Sequence, residues 1–153
     1  MRVHHRGVLL FGAAAVAVLT ACGGLPGTAP RQDGSVSTYL AVVTRDDPKV
    51  KATMTMDRDC KAFDAACRAS WVRFGAAVAA YQQDLDRTPA PPCLAASDRA
   101  LRTALDDYGT AASEVEVAID ANDLSGIDRA ITTYGSANDA MDASTHATDA
   151  ARC

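Results

Sequence analysis

Residues 60–86, CKAFDAACRASWVRFGAAVAAYQQDLD, decide the fold of this chain. Their larger side chains recur every seven residues in two interleaved lines: Cys60, Cys67, Phe74 and Tyr81, with Trp71, Val78 and Leu85 between them. Such a period places side chains along one face of an α-helix. Pro89, Pro91 and Pro92 follow and cannot continue a helix. The stretch therefore predicts an amphipathic helix of about 25 residues with one apolar face.

Two later stretches carry the same spacing. Residues 93–121 hold two neighbouring apolar lines: Leu94, Leu101, Tyr108 and Val115, with Leu105, Ala112 and Ile119. Residues 124–150 hold a third: Leu124, Ile127, Ile131, Tyr134, Met141 and Thr148. Asn122 and Asp123 interrupt the period and predict a tight corner. Similar amphipathic segments with short connections predict an antiparallel bundle, and the abundant Ala permits the helices to approach closely.

The segment before residue 60 is less regular. Ser35 is a suitable helix cap, and Tyr39, Leu40 and Val43 share a face at helical spacing. The sequence Asp46-Asp47-Pro48 predicts the end of this helix, while residues 49–56 could add another turn or two. We expect a short fourth helix packed across the others. The predicted fold of residues 35–153 is therefore all-α, an antiparallel three- to four-helix bundle.

The N-terminus has the pattern of an export signal. Arg2, His4, His5 and Arg6 precede an uncharged, apolar run at residues 8–19. As a helix this run would span about 18 Å, well short of the ~30 Å hydrocarbon core of a bilayer. A signal-peptide core fits it better than a transmembrane anchor does.

The run ends in Leu19-Thr20-Ala21-Cys22, which resembles the lipobox of bacterial lipoproteins. The resemblance implies that residues 1–21 are removed and that Cys22 carries a diacylglyceryl group and further acyl chains. It also implies attachment to the extracytoplasmic face of the cell membrane. Residues 22–34, rich in Gly and Pro, then predict a flexible tether. The bias towards Ala and Asp is typical of a high-GC genome, and the chain resembles helical lipoproteins of an actinobacterial type.

Four cysteines remain after Cys22: Cys60, Cys67, Cys93 and Cys153. An even number outside the cytoplasm predicts two disulfides, with three possible connectivities. A zinc site is less favoured, because the spacings contain no CxxC and His146 is the one histidine beyond the signal.

The predicted helices select among these connectivities. Cys93 begins one long helix and Cys153 ends the next, so antiparallel packing brings the two together. That leaves Cys60 to pair with Cys67. Seven residues of continuous helix would hold their Cα atoms about 10.5 Å apart, beyond disulfide reach. The pairing therefore predicts a break between them, with Asp64 as the cap of a restarting helix.

Composition excludes several classes of function. The chain has 153 residues and a formal charge of −4, which argues against nucleic-acid binding. Loss of Arg2 and Arg6 with the signal makes the remaining chain more acidic. No Gly-rich phosphate loop is present, and the basic residues are dispersed. The length, with 48% hydrophobic and 22% charged residues, is that of one ordinary domain.

No residue pattern typical of catalysis or metal binding is present. His146 lies in a polar stretch, and we expect it to be exposed. The paired carboxylates, Asp46 and Asp47 among them, lie mainly off the apolar lines and predict solvated helix faces. Met54, Met56 and Met141 are more typical of packing than of a copper(I) site. A faint calcium-loop pattern at residues 120–126 has Ile131 where the distal Glu would stand. We expect a protein that is not an enzyme and uses no metal or cofactor beyond the lipid.

Two functions are compatible with these observations. The first is a non-enzymatic module that interacts with another protein of the cell envelope, which predicts an exposed apolar or acidic groove. The alternative is a small-ligand binder with a pocket between helices. The candidate lining residues of that pocket are aromatic: Trp71, Phe74, Tyr81, Tyr108 and Tyr134.

Overall fold

The computed structural model describes residues 34–54, 60 and 62–153, which belong to one compact unit, Arg31–Cys153. The predicted signal, Cys22 and the tether as far as residue 33 lie outside the described residues, as does Met56. The described part is all-helical: α1 Val36–Thr53, α2 Ala65–Asp86, a 3₁₀ turn Pro92–Leu94, α3 Ala95–Ala121 and α4 Leu124–Ala150. The helices form an antiparallel four-helix bundle, as predicted.

The helix boundaries follow from local capping. Asp64 caps α2, because its Oδ1 accepts hydrogen bonds from the backbone N–H groups of Ala66 and Cys67 at 3.0 and 3.1 Å. Asn122 ends α3 in the left-handed conformation with a φ of 54°. The next N–H, of Asp123, bonds back to the Ala118 carbonyl at 2.8 Å. The chain thus reverses between α3 and α4 at the predicted corner.

Helix α1 corrects one prediction. The Asp46-Asp47-Pro48 sequence does not end the helix, which continues through Pro48 to Thr53. An internal proline removes one backbone hydrogen bond at a cost of about 3 kcal/mol. Burial of Val50, only 2% exposed, favours continuation beyond the proline. The buried face of α1 therefore includes Val42, Asp46 and Val50 with Tyr39, whereas Leu40 and Val43 are partly buried.

The apolar line of α2 is confirmed. Its predicted members from Cys67 to Leu85 are all buried: Cys67, Trp71, Phe74, Val78, Tyr81 and Leu85. In α3 the predicted lines are also buried, as is Leu94 on the preceding 3₁₀ turn. These two helices supply most of the large side chains of the core.

Small residues form the seam between α3 and α4. Seven-residue repeats of buried small side chains lie on both helices: Ala104, Ala111 and Ala118 on α3, and Ala130, Ala137 and Ser144 on α4. At one end a Cβ added to Gly126 would lie 3.0 Å from the Ala118 Cβ. At the other end the Ser144 hydroxyl donates to the Ser97 carbonyl at 3.1 Å. The helices therefore approach closely along their full length.

Because of this seam, two residues of the predicted apolar line of α4 do not lie in the core. Ile127 and Met141 are buried, but Leu124 is 65% and Ile131 is 45% exposed. The prediction that these two residues are core residues is wrong. The small side chains occupy the face towards α3, so the bulkier Leu124 and Ile131 lie outside the contact.

Two disulfides close the domain. Cys60 bonds to Cys67, and Cys93 bonds to Cys153, the pairs that the helix pattern selects. The first lies at the start of α2 and spans the break capped by Asp64. The second joins the 3₁₀ turn before α3 to Cys153, which lies beyond the end of α4. Among the described helices, none combines the length and the apolar character needed to cross a membrane.

Candidate functional site

Four of the five candidate aromatic residues form one cluster. Their rings meet mainly edge to face, with centroids 5.3 to 5.8 Å apart: Trp71, Phe74, Tyr108 and Tyr134. Edge-to-face contact is a favoured arrangement of aromatic pairs. The cluster ties α2, α3 and α4 together.

Burial within the cluster is uneven. Phe74 and Tyr108 are 0% and 1% exposed, so they fill the interior of the bundle. Trp71 is 4% exposed, and Tyr134 is partly buried. The aromatic cluster is therefore solid at its centre and reaches the surface at one side.

A cavity of about 580 Å³ opens at that side, and we call it the Trp71 groove. Its principal lining residues come from α2, α4 and the bend before α2: Phe63, Trp71, Ile127, Ile131, Tyr134 and Asn138. Phe63 is 43% and Ile131 is 45% exposed, although both are large and apolar. The groove thus combines an aromatic wall with an apolar rim that solvent reaches.

One polar group is fixed beside this wall. The Tyr108 hydroxyl donates a hydrogen bond to Oδ1 of Asn138, a lining residue. Burial, followed by the nearby Tyr134, raises the pKa of Tyr108 well above its ordinary value. The phenol therefore keeps its proton and remains a donor, which fixes the orientation of the Asn138 amide.

Tyr81, the fifth candidate, lies outside the cluster. It is 1% exposed and lines a second cavity between α1 and α4. Sequence spacing grouped it with Phe74 because both share a face of α2, but seven residues of helix separate them by about 10 Å.

Phe63 and Ile131 are the exposed apolar groove residues, and the sequence did not identify either as a site residue. Phe63 stands one residue before the Asp64 cap, outside the heptad pattern. Ile131 follows the apolar spacing of α4, so the sequence assigns it to the core. A signal for the exposure of Ile131 is present in the sequence. Ala130 and Ala137 repeat at a spacing of seven residues and form the face of α4 that packs against α3, and Ile131 does not lie on that face.

The acidic pair Asp46 and Asp47 forms ion pairs with neighbouring basic residues, and one prediction about it is wrong. Asp46 is only 3% exposed and does not lie on a solvated face. Arg45 and Lys49 donate to its carboxylate, at 2.9 Å and 2.7 Å for Arg45 Nε and Lys49 Nζ. The hydrogen bond from Arg45 is the largest cause of a lowered pKa at Asp46. A general acid needs a raised pKa, so the lowered pKa of Asp46 suits a structural ion pair.

The remaining candidates are dispersed. Met54 lines the Trp71 groove, whereas Met141 lines the cavity beside Tyr81. His146 is exposed. Within the described residues, no three His, Cys, Asp or Glu side chains are grouped so that they could hold a metal ion.

Comparison with known proteins gives no relative. The chain matches no protein-family model, and no curated protein or solved structure is significantly similar to it.

Proposed function

We propose that this protein is a membrane-anchored lipoprotein whose helical domain is a non-enzymatic interaction module of the cell envelope. In this proposal Cys22 carries the lipid, on the extracytoplasmic face of the membrane. The Trp71 groove receives apolar side chains of an envelope protein.

The exposed apolar rim of the groove carries the proposal. Phe63 and Ile131 leave large apolar surfaces in contact with water beside the indole of Trp71. Grouped apolar surface of this kind is typical of protein-interaction sites, where aromatic anchors dominate the binding energy. A partner that covers the rim would remove this surface from water.

The alternative, a small ligand held between helices by the aromatic residues, receives less support. Phe74 and Tyr108 pack at the centre of the cluster and leave no room there. Of the five aromatic candidates, only Trp71 and Tyr134 line the groove. The exposed apolar rim formed by Phe63 and Ile131 instead favours the surface of a protein partner.

Two observations support the lipid anchor. The sequence Leu19-Thr20-Ala21-Cys22 follows a charged and then an apolar segment, as in lipoprotein signals. All four of the remaining cysteines are paired, which suits an oxidising compartment. The anchor places the groove within reach of other proteins at the membrane.

The anchor is tested by Cys22→Ala, with Gly23→Ala as the matched control. We expect Cys22→Ala to lose the acyl mass and membrane retention, while Gly23→Ala keeps both. Retention of both by Cys22→Ala would contradict lipid attachment at this residue.

The groove is tested by Ile131→Asp, with Val117→Asp as the matched control. Val117 is 67% exposed and lies on α3 outside the groove. The same charge is therefore introduced at an exposed position that has no proposed role in binding. We expect Ile131→Asp to lose envelope proteins that co-purify with the wild type, and Val117→Asp to keep them. Unchanged thermal unfolding of both variants shows that folding is intact. Equal retention by both would contradict a role for the groove.

A further inference from the structure

The Tyr81 hydroxyl is buried without a hydrogen-bond partner among the described residues. The other buried phenols differ. Tyr39 donates to Asp98 Oδ1 at 2.9 Å, and Tyr108 donates to Asn138. Buried polar groups are nearly always hydrogen-bonded, so an unpaired one is a candidate contact for a ligand.

Tyr81 lines a cavity of about 400 Å³ between α1 and α4, which we call the Tyr81 groove. A volume of this size is within the range of small-molecule sites. No residue among its described lining is shared with the Trp71 groove. The two sites are therefore independent, and a ligand in the Tyr81 groove does not depend on the proposed protein interaction.

Hydroxyl groups along α4 present oxygen lone pairs to this groove. Thr148 donates its proton to the Ser144 carbonyl at 2.9 Å, and Thr145 donates to the Met141 carbonyl at 3.1 Å. Ser144 likewise donates to the Ser97 carbonyl. Since each proton is committed to the backbone, these side chains can only accept from a ligand.

The charged lining has one sign. Asp47 of α1 and Asp149 of α4 both line the groove, and its described lining contains no Lys, Arg or His. Asp47 also accepts from Lys51 at 2.8 Å, but the Lys51 side chain is 56% exposed. An exposed pair of this kind is weak, and a carboxylate can accept several donors.

Backbone chemistry adds to this acceptor character. Pro48 lines the groove and has no N–H, so it cannot donate to the carbonyl of Thr44, another lining residue. The rest of the wall is apolar, formed mainly by Leu40, Val43 and Met141. The groove therefore suits a molecule with hydrogen-bond donors, positive charge and an apolar chain.

The Tyr81 phenol is suited to such a molecule. Burial is the largest cause of a raised pKa, followed by the nearby carboxylate of Asp47. The hydroxyl therefore stays protonated, and its oxygen accepts from no donor among the described residues. Tyr81 and Asp47 line the same groove, so a cationic group bound there has both side chains in its wall.

We propose that the Tyr81 groove binds a small alkylammonium ion. Its charged nitrogen pairs with Asp47 and donates a hydrogen bond to the Tyr81 oxygen. Its alkyl chain packs on Leu40, Val43 and Met141.

The test uses n-butylammonium as the probe and the lipidated chain in nanodiscs, with empty nanodiscs as the blank. Ligand-observed NMR titration measures the Kd. We expect n-butylammonium to bind at least about tenfold more tightly than n-butanol or butyrate, which have the same chain without the positive charge. Equal binding of the three would overturn the proposal, since it would show apolar partition alone.

Variants locate the site. Asp47→Asn and Tyr81→Phe should each weaken binding by about tenfold. Asp128→Asn, the same change at an exposed carboxylate of α4 that does not line the groove, should leave the Kd unchanged. Unaltered binding in Tyr81→Phe, or equal weakening by Asp128→Asn, would overturn the assignment.

Thermal unfolding without ligand provides an independent check of the unpaired hydroxyl. Tyr81→Phe removes no hydrogen bond, so we expect its Tm to equal or exceed that of the wild type. A lowered Tm would reveal an internal partner for the hydroxyl and would remove the observation on which the site depends.

Discussion

The Tyr108 hydroxyl of α3 donates to the Asn138 side chain of α4, and this hydrogen bond lies between the solid core and the Trp71 groove. Tyr108 holds the aromatic cluster from within, while Asn138 lines the surface cavity. The pair therefore connects the packing of the bundle to the shape of its proposed interaction site.

Tyr108→Phe should lower the free energy of unfolding by about 1–2 kcal/mol, because it removes a buried hydrogen bond and leaves the Asn138 oxygen without its donor. Tyr81→Phe is the matched control, since both phenols are 1% exposed but, among the described residues, only Tyr108 of the two has a hydrogen-bond partner. Urea unfolding measures both. A loss of equal size in the two variants would contradict the difference in hydrogen bonding.

The two disulfides should contribute unequally to stability. The Cys93–Cys153 bridge spans a sequence separation of 60, and the Cys60–Cys67 bridge spans 7. On the chain-entropy model, replacing both cysteines of a bridge by Ala costs about 4 kcal/mol for the longer loop and about 2 kcal/mol for the shorter. Denaturant unfolding of the two double variants gives the comparison. A larger loss from the shorter loop would contradict this ordering.

Glycine replacements should distinguish the α3–α4 seam from the open helix faces. A Cβ added at Gly109 or Gly135 meets nothing within 4 Å. Replacement of either by Ala should raise the free energy of unfolding by about 0.5–1 kcal/mol.

Gly126→Ala should instead lower stability. Its new Cβ would lie 3.0 Å from the Ala118 Cβ and 2.6 Å from Oδ2 of Asp123. Thermal unfolding of the three variants measures the contrast. Stabilisation by Gly126→Ala equal to that at Gly109 would show that the helices pack loosely at this end of the seam.

Acid should remove the contribution of Asp46. Its pKa is lowered in the folded protein, first by the hydrogen bond from Arg45, whereas an unfolded Asp titrates near about 3.9. The unfolded state therefore binds the proton more readily. The stabilisation is present above pH ~4 and is lost as the pH falls through the folded pKa.

Asp46→Asn should accordingly lose stability at neutral pH, and its difference from the wild type should shrink on acidification. Asp128→Asn, at an exposed carboxylate, is the matched control. Unfolding curves recorded from pH 7 to pH 2 test this, and a difference that stays constant across that range would contradict the role of the Asp46 charge.

Local chemistry made most of the fold predictable. The prolines after α2, the Asp64 cap and the Asn122 corner act within a few residues, so the sequence alone located the breaks. The local sequence led to the wrong prediction at Pro48, where we expected the helix to end. Burial of Val50 outweighs the break that the proline favours, and the helix continues to Thr53.

The sites were less predictable because they depend on which helix faces meet. Spacing placed Ile131 in the core, but the Ala130 and Ala137 repeat faces α3 and leaves Ile131 at a groove rim. Whether the Tyr81 hydroxyl has a hydrogen-bond partner depends on the side chains that other helices place around it. The spacing of residues along α2 alone carries no information about those side chains.

Site-specific photocrosslinking in intact cells tests the central proposal most directly. Benzoylphenylalanine would replace Ile131 at the rim of the Trp71 groove and, as the control, Val117 on α3. We predict one discrete crosslinked envelope protein from position 131 and none from position 117. The absence of a crosslink from position 131, or the same products from both positions, would contradict a partner in the groove.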